Sequence, residues 1–217
     1  MVASLLARAC AGAKSLLAFT GIAAVGGLLL LPLPGDGVGW FGDGVFEPAV
    51  PVSGAIQAFP ETPLEREQRA ITEFIAKRYR VSDAAVANYV AVAYRAGEQY
   101  NVDPLLILAV MAIESRYNPV AESVVGAKGL MQVMPKYHLD KLAELGGEEA
   151  LLEPEVNIQV GAQILREYQR RCRDTEAALQ MYAGAFDEPS GQYSTKVFAE
   201  RARLEFLRQK ARKQQTV

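Results

Sequence analysis

The sequence predicts an all-α domain over residues 62–217, set behind an apolar N-terminal segment and a Gly/Pro-rich linker. Three observations predict it. Apolar residues recur at helical spacing from Pro63 onward, helix start signals separate the runs, and no stretch alternates apolar and polar residues as a half-buried strand would. A chain of 217 residues, half of them hydrophobic, has enough length and apolar content to bury such a core.

Residues 1–34 differ in kind from the rest. Arg8 and Lys14 precede a stretch, residues 15–35, that carries no charge. Basic residues on the N-terminal side of an apolar run favour leaving that side in the cytoplasm. A retained membrane anchor is the expected reading and a cleaved signal peptide the alternative. The run is long for a signal-peptide core, and LPLPGDGVGW after it offers no Ala-x-Ala site. Either way the remainder is exported, giving a periplasmic domain held at the inner membrane or, after cleavage, a secreted one. Cys10 precedes the run, which is the wrong side for a lipidated processing site, and Cys172 is then alone beyond it. Residues 35–61 are dense in Gly and Pro, with Trp40, Phe41 and Phe46, and read as an extended linker.

The helices follow in order. EREQRAITEFIAKRY places Ala70, Ile71, Phe74 and Ile75 on one face. Ser82 and Asp83 begin a second helix rich in Ala and Val. Asp103 as N-cap with Pro104 at the first helical position begins a third, PLLILAVMAIES, which is apolar all round and so belongs in the core. Residues 130–134 suggest a short helix stopped by Pro135. Further helices are expected over residues 154–173, at TEAALQMYAG and over residues 194–213. The last carries seven basic residues, read as a solvated face.

Charge and composition exclude several classes. The formal net charge is −2, without the basic excess of a nucleic-acid binder. The single histidine, His138, and two cysteines cannot assemble a His/Cys zinc site, so neither metal nor cofactor is expected. His138 is read as a surface residue and not a catalytic base.

Glu114 stands out on physical grounds. It ends the apolar helix, with Met111, Val110 and Ile107 at its helical neighbour positions. A carboxyl on that face is partly desolvated, which raises its pKa and suits it to donate a proton near neutral pH. A polar residue at a helix edge reaching for solvent would look the same in isolation.

The surrounding motifs decide between them. After Glu114-Ser115 come Pro119, Ala121, Ser123, Gly126-Ala127 and Gly129-Leu130-Met131-Gln132, then Asn157-Ile158, Gly161 and Leu165 in N-I-x-x-G-x-x-x-L register. Tyr193, Lys196 and Val197 supply a later Y-x-x-K-V element. Over residues 100–200 this resembles the lytic transglycosylases related to goose-type lysozyme, the soluble-lytic-transglycosylase superfamily. One departure stands out: the family's Ala-Tyr-Asn-Ala-Gly reads here Met181-Tyr182-Ala183-Gly184-Ala185, so a side-chain amide is lost from the cleft.

The resemblance implies a compact lysozyme-like catalytic domain cleaving the bond between N-acetylmuramic acid and N-acetylglucosamine. One carboxyl, Glu114, would protonate the glycosidic oxygen and then take the proton of the C6 hydroxyl, which closes onto C1 as a 1,6-anhydro ring. Ser115, Ser123, Met131, Gln132, Tyr182 and Tyr193 would line the site and bind the glycan. The expected partners are peptidoglycan strands, the membrane through the N-terminal segment and an envelope-spanning assembly, with no nucleic acid. Two other readings keep the fold: a tethered peptidoglycan-binding scaffold, which the missing Asn favours, and a goose-type hydrolase. Intact Glu114, Ser123 and Gln132 argue against a pure binder.

Overall fold

The computed structural model describes residues 60–185 and 191–213. The apolar segment, with the linker up to residue 59, lies outside the described residues, as do Asp187 and Glu188. Among the described residues no helix is long and apolar enough to cross a membrane. They form seven α-helices and two 3-10 turns, with only isolated bridge pairs in place of strands, so the all-α expectation is met.

Helix α1 (Pro63–Tyr79) begins at a capping box: the Thr62 hydroxyl accepts from the Glu65 amide while the Glu65 carboxylate accepts from Thr62 N–H. Helix α2 (Asp83–Tyr100) is capped by Ser82, as the sequence indicates. Helix α3 (Pro104–Glu114) is capped by Asp103, whose Oδ1 accepts from Leu105 N–H and whose Oδ2 takes the Arg201 guanidinium at 2.5 Å. Every residue of α3 from Leu105 to Ala112 is buried, because α2 packs on one side and α7 on another. A helix covered all round needs no polar face, and its sequence has none.

After α3 comes a long loop, then α4 (Leu139–Leu142), a 3-10 turn (Glu148–Leu152), α5 (Pro154–Cys172), α6 (Thr175–Tyr182) and α7 (Gln192–Lys213). The helix expected over residues 130–134 is absent. Gly129 and Gln132 adopt positive φ of 75° and 49°, which an α-helix excludes, and Pro135 starts a 3-10 turn (Pro135–Tyr137) instead of ending a helix. Cys172, at the end of α5, is half-buried.

Two buried carboxylates tie α7 to the N-terminal helices. Glu67 on α1 accepts from Tyr94 of α2 and from Arg212 of α7. Glu200 on α7 accepts from Tyr79 of α1 at 2.8 Å and from Arg203 at 2.6 Å. Each is 2 % exposed, so removing a partner would strand a charge in the interior.

Candidate active site

The chain leaves α3 abruptly. Ser115 caps it, and Arg116 and Tyr117 follow at φ 53° and 65°, left-handed conformations that cost a non-glycine residue roughly 1 kcal/mol each. Tyr117 stabilises the turn by folding back: it is fully buried, its hydroxyl donates to Leu108 C=O at 2.9 Å, and its ring meets Tyr79 edge-on. This leaves Glu114 at the last turn of a helix whose end is packed and hydrogen-bonded in place.

Glu114 is mostly buried, and its pKa is pushed up to about 7. Loss of hydration is the larger cause; a hydrogen bond from Tyr193 opposes it. The Tyr193 hydroxyl donates to Glu114 Oε1 at 2.6 Å, bridging from the first turn of α7 to the end of α3. Burial and the neighbouring carboxylate push the Tyr193 phenol far above its usual range, so it stays a donor. A carboxyl that titrates near neutrality and keeps one oriented oxygen can both give and take a proton at working pH.

Beside this pair the loop after α3 is held by side chains. Ser115 Oγ lies 2.7 Å from Leu130 C=O and 3.2 Å from Met111 C=O, so its proton goes to the backbone. Ser123 Oγ accepts from Ala127 N–H and closes the 123–127 turn. The Gln132 amide nitrogen donates to Ala121 C=O and Gly129 C=O, and the residue lines a cavity of about 450 Å³. Met131 stands apart: its side chain is wholly buried against Gly161, where a Cβ would come within 2.4 Å of its sulfur. Met131 contributes through its backbone, whose carbonyl accepts from Tyr182 at 2.9 Å.

Tyr182 joins the acid to the cavity. It lines that cavity with Gln132, and burial, helped by the charge of Glu114, holds its own phenol protonated. Glu114 itself is not among the lining residues; proximity to Tyr182 and Tyr193 places the cavity next to the acid. Tyr168 meets Tyr182 edge-on at 6.4 Å, and Ala183 and Gly184 form the wall near where the family's asparagine is missing.

Asn157, Ile164 and Tyr168 escaped sequence reasoning. Asn157, quoted only as a motif letter, is fully buried and anchors the loop: its Oδ1 accepts from Met131 N–H at 2.7 Å, and its Nδ2 donates to the Lys128 and Leu151 carbonyls. Gly129 must be glycine, because a Cβ there would lie 2.2 Å from Asn157 Nδ2. Ile164 and Tyr168 line the cavity from one face of α5, a four-residue spacing that could have flagged them. His138 is a correction: it is 9 % exposed and lines the cavity, not the surface. Lys141 and Leu139 flank it on α4, which sequence reasoning did not anticipate, and burial lowers its pKa.

Among the described residues, an all-α frame sets a carboxyl of raised pKa beside a cavity, which defines the class as an acid/base site on a helical scaffold. Residues 91–196 match the family model described as "Transglycosylase SLT domain", so the chain carries that domain and the resemblance read from its motifs holds. Among curated proteins it is similar to a transglycosylase of Enterobacteria phage PRD1, at 39% identity over 48% of this chain and 37% of that one. It is also similar to the endo-type membrane-bound lytic murein transglycosylase A of Klebsiella pneumoniae subsp. pneumoniae, at 41% identity over 36% of this chain and 41% of that one. The chain thus spans less than half the length of these relatives. A solved structure of an inactive mutant of lytic transglycosylase Slt from Pseudomonas aeruginosa matches 56% of this chain and 22% of that one, at 24% identity and a TM-score of only 0.41.

Proposed function

We propose that this protein is a peptidoglycan lytic transglycosylase working from the outer face of the cytoplasmic membrane, with Glu114 as its single acid and base. One observation carries the reading: a carboxyl with pKa near 7, fixed by Tyr193 inside an SLT domain. Protonated Glu114 would give its proton to the glycosidic oxygen between N-acetylmuramic acid and N-acetylglucosamine. Ionised after that step, it would take the proton of the C6 hydroxyl as that oxygen bonds to C1. Bond breaking and ring closure balance without water, and the acid is regenerated.

Intramolecular attack is favoured because the C6 hydroxyl is held beside C1 at high effective concentration. Two-carboxylate glycosidases place their second acid about 5–10 Å from the first. Glu122, Glu148 and Glu149 are instead engaged by Lys128, and Asp103 by Arg201. Gln132, Tyr182 and Ser123 would border the bound glycan, with Met131 and Ser115 shaping the loop from behind. The name of the Klebsiella pneumoniae relative, a membrane-bound lytic murein transglycosylase, supports a cell-envelope location and the N-terminal segment as its anchor.

The product tests the mechanism. Glycan fragments released from purified sacculi by the full chain should end in 1,6-anhydro-N-acetylmuramic acid, resist borohydride and carry no oxygen-18 from labelled water. Reducible, labelled ends would make the protein a hydrolase, and Asp187 and Glu188 the first residues to substitute in search of a second carboxylate.

A further inference from the structure

A second cavity, about 490 Å³, is lined by Ile113 and Arg116, on either side of Glu114 in the chain, and is not used by the chemistry above. Its walls come from the end of α1, the end of α3 and residues 196–203 of α7. Four of its lining residues are cations, Arg78, Arg116, Lys196 and Arg203, and one is an acid, Glu200. Glu200 is buried and engaged by Tyr79, Arg203 and Arg78. Arg116 and Lys196 are exposed, and no carboxylate among the described residues stands within 4.0 Å of either. Both the Arg78 and Arg116 guanidinium groups lie over the Tyr79 ring, at 5.7 and 5.9 Å, so like charges are gathered on one platform.

Holding them there runs against local preference. Arg116 sits in the left-handed region at φ 53°, which disfavours any side chain, and its cationic neighbours repel it. Tyr117 holds the turn and the Tyr79 ring holds the guanidinium, which leaves at the cavity mouth a cation that an anionic ligand would complement. The position narrows the ligand. Arg116 follows Glu114 by two residues, and Lys196 follows Tyr193 by three, so both cations lie close along the chain to the acid or to its hydroxyl partner.

We infer that this cavity binds a carboxylate of the peptide branch carried by the N-acetylmuramic acid unit being cleaved, through Arg116 and Lys196. The inference rests on the peptidoglycan reading above. The branch is attached to the sugar whose C1 bond breaks, so an anion on it arrives tethered and at high local concentration. A charge-assisted hydrogen bond to such a carboxylate is worth about a tenfold change in affinity or more.

Glycan strands with peptides intact, and the same strands stripped by an amidase, test this with the full chain. The ratio of kcat/KM on intact to stripped strands should fall about tenfold in Lys196→Gln and in Arg116→Gln, and further in the double variant. In a Glu114→Gln background, titration with the peptide released by the amidase should weaken by a similar factor when Lys196 is also replaced. An unchanged ratio together with unchanged peptide binding overturns the proposal. So does an equal fall on both strands, which would assign the cations to the sugar. Loss of binding to vesicles of anionic lipid, with peptide binding intact, would assign them to a membrane instead. If the wild-type chain cleaves neither strand, the proposed activity fails, and the peptide titration still decides the cavity on its own.

Discussion

Glu114 has two properties that pull against each other, and the conflict can be measured. Its folded pKa, about 7, lies above the ordinary carboxylate value, so the folded state holds a proton that the unfolded chain releases. Stability therefore falls as pH rises from the unfolded value to about 7 and levels off above it, the reverse of a salt-bridged acid. Glu114→Gln keeps the shape and removes the ionisation. Activity on sacculi should drop by orders of magnitude, while stability above pH 7 should rise by up to roughly 3 kcal/mol relative to the wild type, with no gain at pH 4. Parallel denaturant titrations at the two pH values check this, and equal stability at both would show that the acid is not desolvated. Tyr193→Phe tests the partner. The lost hydrogen bond is what holds Glu114 down, so the alkaline limb of the pH–rate profile should move upward even as the maximal rate falls. A limb that stays in place would mean that Tyr193 leaves the acid untuned.

At the scale of elements, the loop after α3 depends on a side chain that comes much later in the chain. Asn157 satisfies three backbone groups of residues 128–151, all buried with it. Asn157→Ala should lower stability by about 3 kcal/mol and abolish most activity although Glu114 itself is intact, as denaturation midpoints and turnover on sacculi would show. A fully active variant would refute the anchoring role. The same dependence explains what the sequence revealed. Helices α2 and α3 were legible because Ser82, Asp103 and Pro104 mark their starts locally and α3 has no polar face to hide. Glu114 was legible because its apolar neighbours lie within two turns. The shape at residues 130–134 was not, because positive φ at Gln132 is imposed by its amide bonds and by Asn157, not by local propensity. Met131 read as a lining residue for the same reason: only the Gly161 contact shows that it faces the core. His138 looked exposed because α4, beside it, is too short to leave a periodic signal.

At the scale of the whole molecule, the position of Arg8 and Lys14 ahead of an uncharged run makes an export prediction independent of the site. The protein should sediment with membranes, and a reporter fused after residue 60 should be active only outside the cytoplasm. A reporter active only inside would overturn export, whereas a mature chain lacking its first 35 or so residues would overturn only the anchor. Within the described residues, α7 has a place that bears on how the site fails. It closes the fold through Glu200 and Arg212, and its first turn carries the hydroxyl that tunes Glu114. One helix thus closes the fold and completes the surroundings of the acid. Were its turns undocked, Glu114 would stand without its hydroxyl partner although its own helix was intact. Loosening of α7 would therefore be felt first at the acid, through loss of the bond that holds its pKa down.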